Sequence, residues 1–349
     1  MRPLKHVHLV GLLVDGAAGF AVTTIEPIRK ASKQILTSGG SRGKLISYPA
    51  GIHSSLGPLT EMNPRISIIM PVWNGEAYLR EAMDSILSQT FTDFEFIIVD
   101  DGSTDGTAKI LASYHDARLR VFRLDHAGIV VALNFGIAQA KAEWIARQDA
   151  DDVSLPHRLE AQWKALQLNP HAVLAHTDAE CIGDENRTIG HARFPKTRAF
   201  MALRLCYQCP IVHSTVLFKK ETALAAGGYL PVERHAEDYS LWGRMLERGE
   251  FVGLPDKLLK LRIHSMSVSK QNAETQMALT KKIAIAHCKR FMKLSDAEAQ
   301  RAHTVLSIPR CERQWADWWW FLTHCAPRLR WKSAETYGWL AWQSMKTWL

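Results

Sequence analysis

The chain has 349 residues, with 43 Lys and Arg against 35 Asp and Glu, and a formal net charge of +8. Hydrophobic residues make up 47% of it and charged residues 22%, which excludes a disordered or collagen-like protein and leaves enough length for one large or two smaller cores. The charge is uneven: residues 1–65 carry +5, residues 66–280 carry −4 and residues 281–349 carry +7. Any basic surface for nucleic acid would belong to the flanks, where no recognised nucleic-acid-binding module is present, so we expect no nucleic-acid partner.

Residues 1–64 show no clear hydrophobic periodicity and are predicted to form an N-terminal extension, poorly ordered or loosely packed. From Arg65 the pattern becomes regular. A β-branched run at 66–70 predicts a buried strand, and apolar residues at helical spacing over 79–87 predict an amphipathic helix. Further strands are predicted at 94–99, 119–124, 144–148 and 172–176, and further helices at 107–114, 129–140 and 156–168. This alternation predicts an α/β fold with a mostly parallel central sheet covered by helices on both faces.

Residues 271–349 are predicted to form a helical, Trp-rich and basic C-terminal region. Eight of the 12 Trp lie in the last 35 residues. Four apolar residues there fit one helical face: Trp315, Trp318, Trp319 and Leu322. Trp beside Arg and Lys is typical of a helix at a membrane interface. A Trp-rich helix that packs on the preceding domain would show the same pattern, and both interpretations stay open for residues 314–349.

The six Cys are sparse in a chain too long to need disulfide bonds, which indicates reduced, buried thiols. No run of 18 apolar residues free of charge occurs in the sequence. We therefore predict a cytoplasmic protein. For residues 314–349, peripheral contact with the inner face of the membrane stays open.

Acidic residues follow two of the predicted strands at the points where these strands end. Asp100 and Asp101 close the second strand, and Asp149 and Asp151 follow the fourth. In open α/β sheets the ligand binds beyond the carboxyl ends of the strands, so we expect these carboxylates in one crevice. Like charges crowded there favour a bound cation, and carboxylate oxygens suit Mn²⁺ or Mg²⁺ with open positions for phosphate oxygens. Neither a Walker lysine loop nor a GxGxxG motif occurs in the sequence. A metal ion would therefore bind the diphosphate of a nucleotide in place of these phosphate-binding loops.

Several short motifs share this strand context. In chain order they are PVWN at 71–74, SILSQTF at 85–91, VDDGSTDGT at 99–107, QDADD at 148–152, VHSTV at 212–216, GGY at 227–229, EDYSLW at 237–242 and LRIH at 261–264. With this set the chain resembles the family 2 glycosyltransferases of the GT-A fold. The resemblance spans residues 66–270 and implies a catalytic domain over 65–270 with a Rossmann-like nucleotide-binding half.

The resemblance implies that a nucleotide-diphosphate sugar binds across the first half of the sheet. The residues it assigns to this donor are Pro71, Val72, Trp73, Asn74, Asp100, Asp101, Asp149 and Arg262. Trp73 would stack on the base, and Arg262 would pair with phosphate. A divalent metal, Mn²⁺ or Mg²⁺, would be held on the diphosphate by Asp151 with Asp149 and His264, where it would act as a Lewis acid.

The resemblance further implies that Asp238 is the general base, with Glu237 as the lesser candidate. Asp238 would take the proton from an acceptor hydroxyl in one displacement that inverts the anomeric configuration. Without the resemblance, both acidic residues would equally fit the start of a helix, where carboxylates are favourable. His213, which alone would fit a core histidine, is placed by the resemblance on the acceptor or diphosphate side.

The implied function is inverting, metal-dependent transfer of one sugar to a hydroxyl of a glycan or lipid-linked acceptor in cell-surface polysaccharide synthesis. The Gln-x-x-Arg-Trp motif and the membrane spans of processive synthases do not occur in the sequence, which favours single-sugar transfer. Two alternatives stay open. A nucleotidyltransferase is disfavoured because PVWNGE is not a Gly-rich basic loop. A catalytically inactive sugar-nucleotide-binding or scaffold protein on the same fold is disfavoured by the intact acidic residues.

Overall fold

A computed structural model of the protein describes residues 64–264, 273–309 and 312–345. The predicted N-terminal extension lies outside the described residues, apart from Pro64. The described residues form nine strands: β1 Ile66–Val72, β2 Phe94–Asp100, β3 Leu119–Arg123, β4 Trp144–Arg147, β5 Val153–Ser154, β6 Ala172–Ile182, β7 Thr188–Ala192, β8 Val216–Lys219 and β9 Glu250–Arg262.

Eleven α-helices are present in the described part of the chain. They are α1 Leu79–Leu87, α2 Thr107–Ala112, α3 Ile129–Gln139, α4 Arg158–Gln167, α5 Arg198–Leu205, α6 Lys220–Ala225, α7 Glu237–Leu246, α8 Ala273–Met292, α9 Asp296–Ser307, α10 Trp315–Trp320 and α11 Ala334–Met345. Short 3₁₀ turns lie at His213–Thr215, Pro231–Glu233 and Ala326–Arg328, and a π-helical turn at Phe321–Cys325 continues α10. The predicted α/β class is therefore confirmed.

The strands form one sheet in the order β3-β2-β1-β4-β8-β6-β9-β5, with β7 paired to β6. Pairing is parallel among β3, β2, β1 and β4, as predicted for the nucleotide-binding half. Beyond β4 the sheet is mixed, because β8 runs antiparallel to both β4 and β6, and β6 pairs parallel only with β9.

The two faces of the sheet bury separate hydrophobic cores. Successive side chains of β1 alternate between them, so Ile68 and Met70 pack with α1 and α4 whereas Ile69 packs with α3 and the C-terminal helices. All seven residues of β1 and of β2 are buried, as expected for central parallel strands covered on both faces. The rigid centre of the sheet therefore lies directly behind the loops that follow β1, β2 and β4.

The C-terminal region packs on the second of these cores. Trp318 is fully buried and donates from its indole N–H to the hydroxyl of Ser344 at 2.9 Å. Trp339 stacks on Tyr207 with ring centroids 6.0 Å apart. The single helical face expected for the Trp residues is wrong, because Trp315 and Trp319 point to solvent while Trp318 points inward. No helix among the described residues is long and apolar enough to cross a membrane.

Candidate active site

The loops after β1, β2 and β4 meet at one edge of the sheet, because these strands are parallel neighbours. After β1, Trp73 has 55% of its surface exposed, and its ring centroid lies 4.6 Å from that of His126. Asn74 adopts a left-handed conformation, with φ of 53°, and its side-chain oxygen accepts from the Thr104 N–H at 2.8 Å. Pro71 and Val72 are buried behind this loop. This edge of the sheet thus presents an exposed aromatic ring on a loop that is hydrogen-bonded to the loop after β2.

Asp100 and Asp101 follow β2 but have different surroundings. Asp100 is fully buried, accepts from the Ser103 N–H at 2.8 Å and is ion-paired with Arg123. The donor-binding role expected for Asp100 does not fit this arrangement, because the loop and Arg123 occupy its two carboxylate oxygens. Asp101 lies next to the exposed Trp73 loop and accepts from two backbone N–H groups, of Ala127 at 2.6 Å and Gly128 at 2.8 Å.

The loop after β4 carries three carboxylates. Oxygens of Asp149, Asp151 and Asp152 lie within 4.8 Å of one another. His264, at the end of β9, places its Nε2 at 2.9 Å from Asp151. One oxygen of the buried Asp152, Oδ2, has no hydrogen-bond partner. Burial and the neighbouring charge of Asp149 raise the pKa of Asp151, and burial with both neighbours raises the pKa of Asp152 well above its usual range.

This donor set fits a hard divalent cation. The crowded oxygens, the unpartnered Oδ2 of Asp152 and the adjacent imidazole of His264 are the ligand types that Mn²⁺ accepts, and the oxygens alone suit Mg²⁺. A cation would remove the mutual repulsion that raises the pKa of Asp151 and Asp152. Asp151, Asp149 and His264, which the sequence singles out, are therefore brought together, and Asp152 joins them.

Arg262 is in the expected place but its side chain is not open to a phosphate. Its side chain is 1% exposed, and its guanidinium pairs with Glu81 on α1 at 2.6 Å. It also donates to the Asp151 carbonyl at 2.9 Å and to the side chain of Asn186 at 2.6 Å. The predicted phosphate pairing is therefore corrected: Arg262 ties α1 and the 183–188 turn to the acidic loop.

Glu237 and Asp238 begin α7 and face the same region from the other half of the sheet. Asp238 is partly exposed, and one of its oxygens lies 3.8 Å from the sulfur of Cys209. Burial raises the pKa of Asp238 to about 6. Glu237 is buried, its Oε2 has no hydrogen-bond partner, and burial together with the Asp238 charge raises its pKa to about 7. Both carboxyls are thus poised to exchange protons near neutral pH.

His213 belongs to a buried polar chain beside these carboxyls. Its Nε2 pairs with the hydroxyl of Tyr229 at 2.7 Å, and its ring packs edge-on against Trp242. Asn134 on α3 fixes Tyr229 by bonding both its backbone N–H and its carbonyl, at 3.2 and 2.7 Å. Burial, followed by the Arg147 charge, lowers the pKa of His213 well below its usual range, so the ring is neutral.

Three residues of this region were not predicted from the sequence as site residues: Arg147, Ser214 and Tyr229. Arg147 is 1% exposed and its Nη2 lies 2.6 Å from Asp149. The Ser214 hydroxyl donates to the other oxygen of Asp149 at 2.6 Å. Arg147 ends an otherwise apolar strand directly before the acidic loop, but nothing in the sequence separates it from a surface arginine. Ser214 lies in the motif VHSTV and Tyr229 in GGY, but nothing in the sequence distinguishes either residue from a core residue.

Comparison with known proteins defines the class to which this fold and site belong. The family model described as Glycosyl transferase family 2 matches residues 67–221. O-antigen biosynthesis glycosyltransferase WbnJ of Escherichia coli is 34% identical over 214 residues, which cover 59% of this chain and 82% of WbnJ. Putative glycosyltransferase EpsE of Bacillus subtilis is 34% identical over 209 residues, covering 57% of this chain and 73% of EpsE. The chain belongs to glycosyltransferase family 2.

A solved structure supports the fold assignment. The crystal structure of S. aureus TarS 1–349 in complex with UDP-GlcNAc matches with a TM-score of 0.56 at 19% identity, covering 69% of this chain and 72% of that one. The expected GT-A fold is thereby confirmed, and with the family it identifies the protein as a glycosyltransferase.

The reassignment of Arg262 gives a testable stability effect. We expect Arg262→Met to lower the free energy of unfolding by about 2 kcal/mol, because it leaves the buried loop without its donors. In a double-mutant cycle with Glu81→Gln, the coupling free energy should be about 1 kcal/mol in urea denaturation. Arg187→Met, in an exposed arginine of the same turn, is the control and should change stability by less than about 0.5 kcal/mol. A higher donor KM with unchanged stability would restore the phosphate-binding assignment.

Proposed function

We propose that this glycosyltransferase moves a single sugar, with inversion, from a nucleotide-diphosphate sugar to a hydroxyl of a glycan or lipid-linked acceptor. The observation that carries the proposal is the juxtaposition of two acidic groups of different kinds at one edge of the sheet. The cluster of Asp149, Asp151 and Asp152 suits a metal and a diphosphate, whereas Asp238 is a partly exposed carboxyl with a raised pKa. Arg147, which interacts with both Asp149 and Asp238, links the two groups.

The donor is proposed from the nucleotide half of the site. Trp73 offers an exposed ring for a base, and Asp101 lies at the bottom of the same loop pair. TarS, which shares the fold, was crystallised with UDP-GlcNAc, so a uracil nucleotide is the first donor to test. WbnJ is named for O-antigen biosynthesis, which supports a surface polysaccharide as the product.

In this proposal each acidic residue has a separate task. A divalent metal bound at the cluster would supply positive charge to a leaving diphosphate. Ser214 and Arg147 hold the two oxygens of Asp149, so this carboxylate keeps one orientation toward the donor. Asp238 accepts the proton of the acceptor hydroxyl as that oxygen attacks the anomeric carbon. One displacement at one carbon needs no second nucleophile and inverts the configuration.

The two alternatives are weaker than this proposal. A nucleotidyltransferase needs a basic Gly-rich loop after its first strand, whereas the loop here carries Trp73 and Asn74. An inactive scaffold protein has no need for a carboxyl such as Asp238, whose pKa burial raises to about 6.

Metal-dependent donor binding tests the nucleotide half of this proposal. UDP-, GDP- and dTDP-sugars are compared by thermal shift with and without Mn²⁺. At 100 times its Kd, the correct donor should raise Tm by about 5 °C with Mn²⁺, because it binds only the folded state. Asp151→Asn should lose the Mn²⁺-dependent part of this shift. Asp256→Asn, an exposed carboxylate of β9, should keep it. Absence of a shift with every donor contradicts the proposal.

The pH dependence of transfer distinguishes the two candidate bases. A base must be unprotonated, and burial raises the pKa of Asp238 to about 6 and that of Glu237 to about 7. With Asp238 as base, kcat/KM should fall about tenfold per pH unit below about 6. Asp238→Asn should lose at least about 100-fold in kcat, and Glu237→Gln should lose less. An activity limb near pH 7 that disappears in Glu237→Gln would make Glu237 the base instead.

We also propose that the C-terminal region contacts anionic lipid through the exposed aromatic rings of α10. Trp315 and Trp319 lie side by side on this helix, with ring centroids 5.9 Å apart, in a region of net positive charge. The double variant Trp315→Ala/Trp319→Ala should reduce co-sedimentation with phosphatidylglycerol vesicles at least about threefold. Trp73→Ala, whose ring is as exposed as that of Trp319, is the control and should bind normally. Equal binding by all three proteins would refute lipid contact at α10.

A further inference from the structure

Arg147 is a buried cation that the proposed reaction does not by itself explain. It is the last residue of β4 and is 1% exposed. Its Nη2 pairs with Asp149 at 2.6 Å, but its Nε and Nη1 have no hydrogen-bond partner among the described residues. A guanidinium carries five N–H donors in a rigid plane. In Arg147, Nη2 is engaged by Asp149, whereas the donors of Nε and Nη1 remain available.

The surroundings of Arg147 are acidic on two sides. Asp149 lies on the donor side, on the loop that directly follows β4, while Glu237 and Asp238 lie on the base side, at the start of α7. The Oε2 of Glu237 is also buried without a hydrogen-bond partner. The other titratable groups that act on Asp238 or on this cation are Cys209, His213, Tyr229, Asp152 and Arg158.

Three carboxylates around this cation repel one another, and burial disfavours the charged forms of Glu237 and Asp238. The charge of Arg147 acts in the opposite direction and lowers the pKa of both Glu237 and Asp238. The thiol of Cys209 and the phenol of Tyr229, whose pKa values burial raises, supply no positive charge, and the His213 ring is neutral. Arg147 is thus a positive charge that acts on both carboxyls.

We propose that Arg147 is a positioning residue that joins the two halves of the reaction: it fixes Asp149 on the donor side and supplies the positive charge that Asp238 faces on the base side. The inference rests on the proposed function only in naming Asp238 the base. The ion pair, the burial and the unpartnered nitrogens of Arg147 are independent of that assignment.

The test reads the protonation of Asp238 directly and without substrate. Infrared difference spectra between each protein and the same protein carrying Asp238→Asn report the protonated carboxyl band of Asp238 as a function of pH. The proteins compared are the wild type, Arg147→Met and Arg147→Lys. Arg158→Lys serves as the control, because Arg158 is equally buried nearby but bonds only to neutral groups.

We expect the Asp238 midpoint to rise by about one pH unit in Arg147→Met, because the nearby positive charge is lost. Arg147→Lys keeps that charge and should stay near the wild type, as should Arg158→Lys. If Arg147→Met does not fold, Arg147→Gln takes its place. An unchanged midpoint in the neutral variant, or an equal rise in Arg147→Lys, overturns the proposal.

Transfer kinetics supply the donor-side readout. The donor KM should rise at least about fivefold in Arg147→Lys, because an ammonium cannot hold Asp149 with a planar fork. A wild-type donor KM in Arg147→Lys overturns the positioning of Asp149. If the wild-type protein transfers no sugar from any donor, the proposed function fails, whereas the infrared result still decides whether Arg147 controls the charge of Asp238.

Discussion

Repulsion among the carboxylates of Asp149, Asp151 and Asp152 is the constraint around which the rest of the site is organised. All three lie on the loop after β4, and the conformation of this loop holds their oxygens within 4.8 Å of one another. Such crowding costs free energy unless each oxygen finds a donor or a cation. Ser214 and Arg147 satisfy Asp149, and His264 satisfies one oxygen of Asp151, while Asp152 keeps a buried oxygen without a partner.

The backbone of the acidic loop cannot relax to relieve this repulsion, because buried polar side chains hold it from below. Gln148 donates to the Asp152 carbonyl at 2.8 Å, and Arg158 bonds to both Gln148 and Ser154. Burial lowers the pKa of Arg158 to about 9, which reflects the cost of placing a cation there. Arg262 holds the loop from the side. The carboxylates are thus held in place before a cation binds. A bound cation would therefore relieve their mutual repulsion without a rearrangement of the loop.

Much of this arrangement is predictable from the sequence because it depends on local order. The strands and helices from β1 to α4, apart from the two-residue strand β5, follow from hydrophobic periodicity. The positions of Asp149, Asp151 and His264 follow from short motifs. The roles of Asp100 and Arg262 are not predictable in this way. Both sit in motif positions that suit a ligand, and only their long-range partners, Arg123 and Glu81, show that protein groups already occupy them.

Arg147 and the mixed half of the sheet were missed for a related reason. An arginine inside a strand pattern has no local mark that separates a surface side chain from a buried ion pair. The carboxyls on which its charge acts, Glu237 and Asp238, lie about ninety positions further along the chain. The antiparallel strand β8 separates β4 from β6 and brings His213 and Ser214 to the loop after β4. Such contacts arise from tertiary packing, which single-sequence periodicity does not contain.

The C-terminal helices have a structural task that is separate from any contact with lipid. Helix α7, which carries Asp238, packs against α8 so closely that a Cβ on Gly243 would lie 2.0 Å from the Nε2 of His287. The His287 ring packs edge-on against Tyr239, the residue after Asp238, and its Nδ1 lies 3.0 Å from the Leu205 carbonyl that also accepts from the Tyr239 hydroxyl. Since Asp238 receives the Tyr239 backbone N–H, the height of α7 over the sheet sets the position of the proposed base. The C-terminal region therefore supports the helix that carries the proposed base.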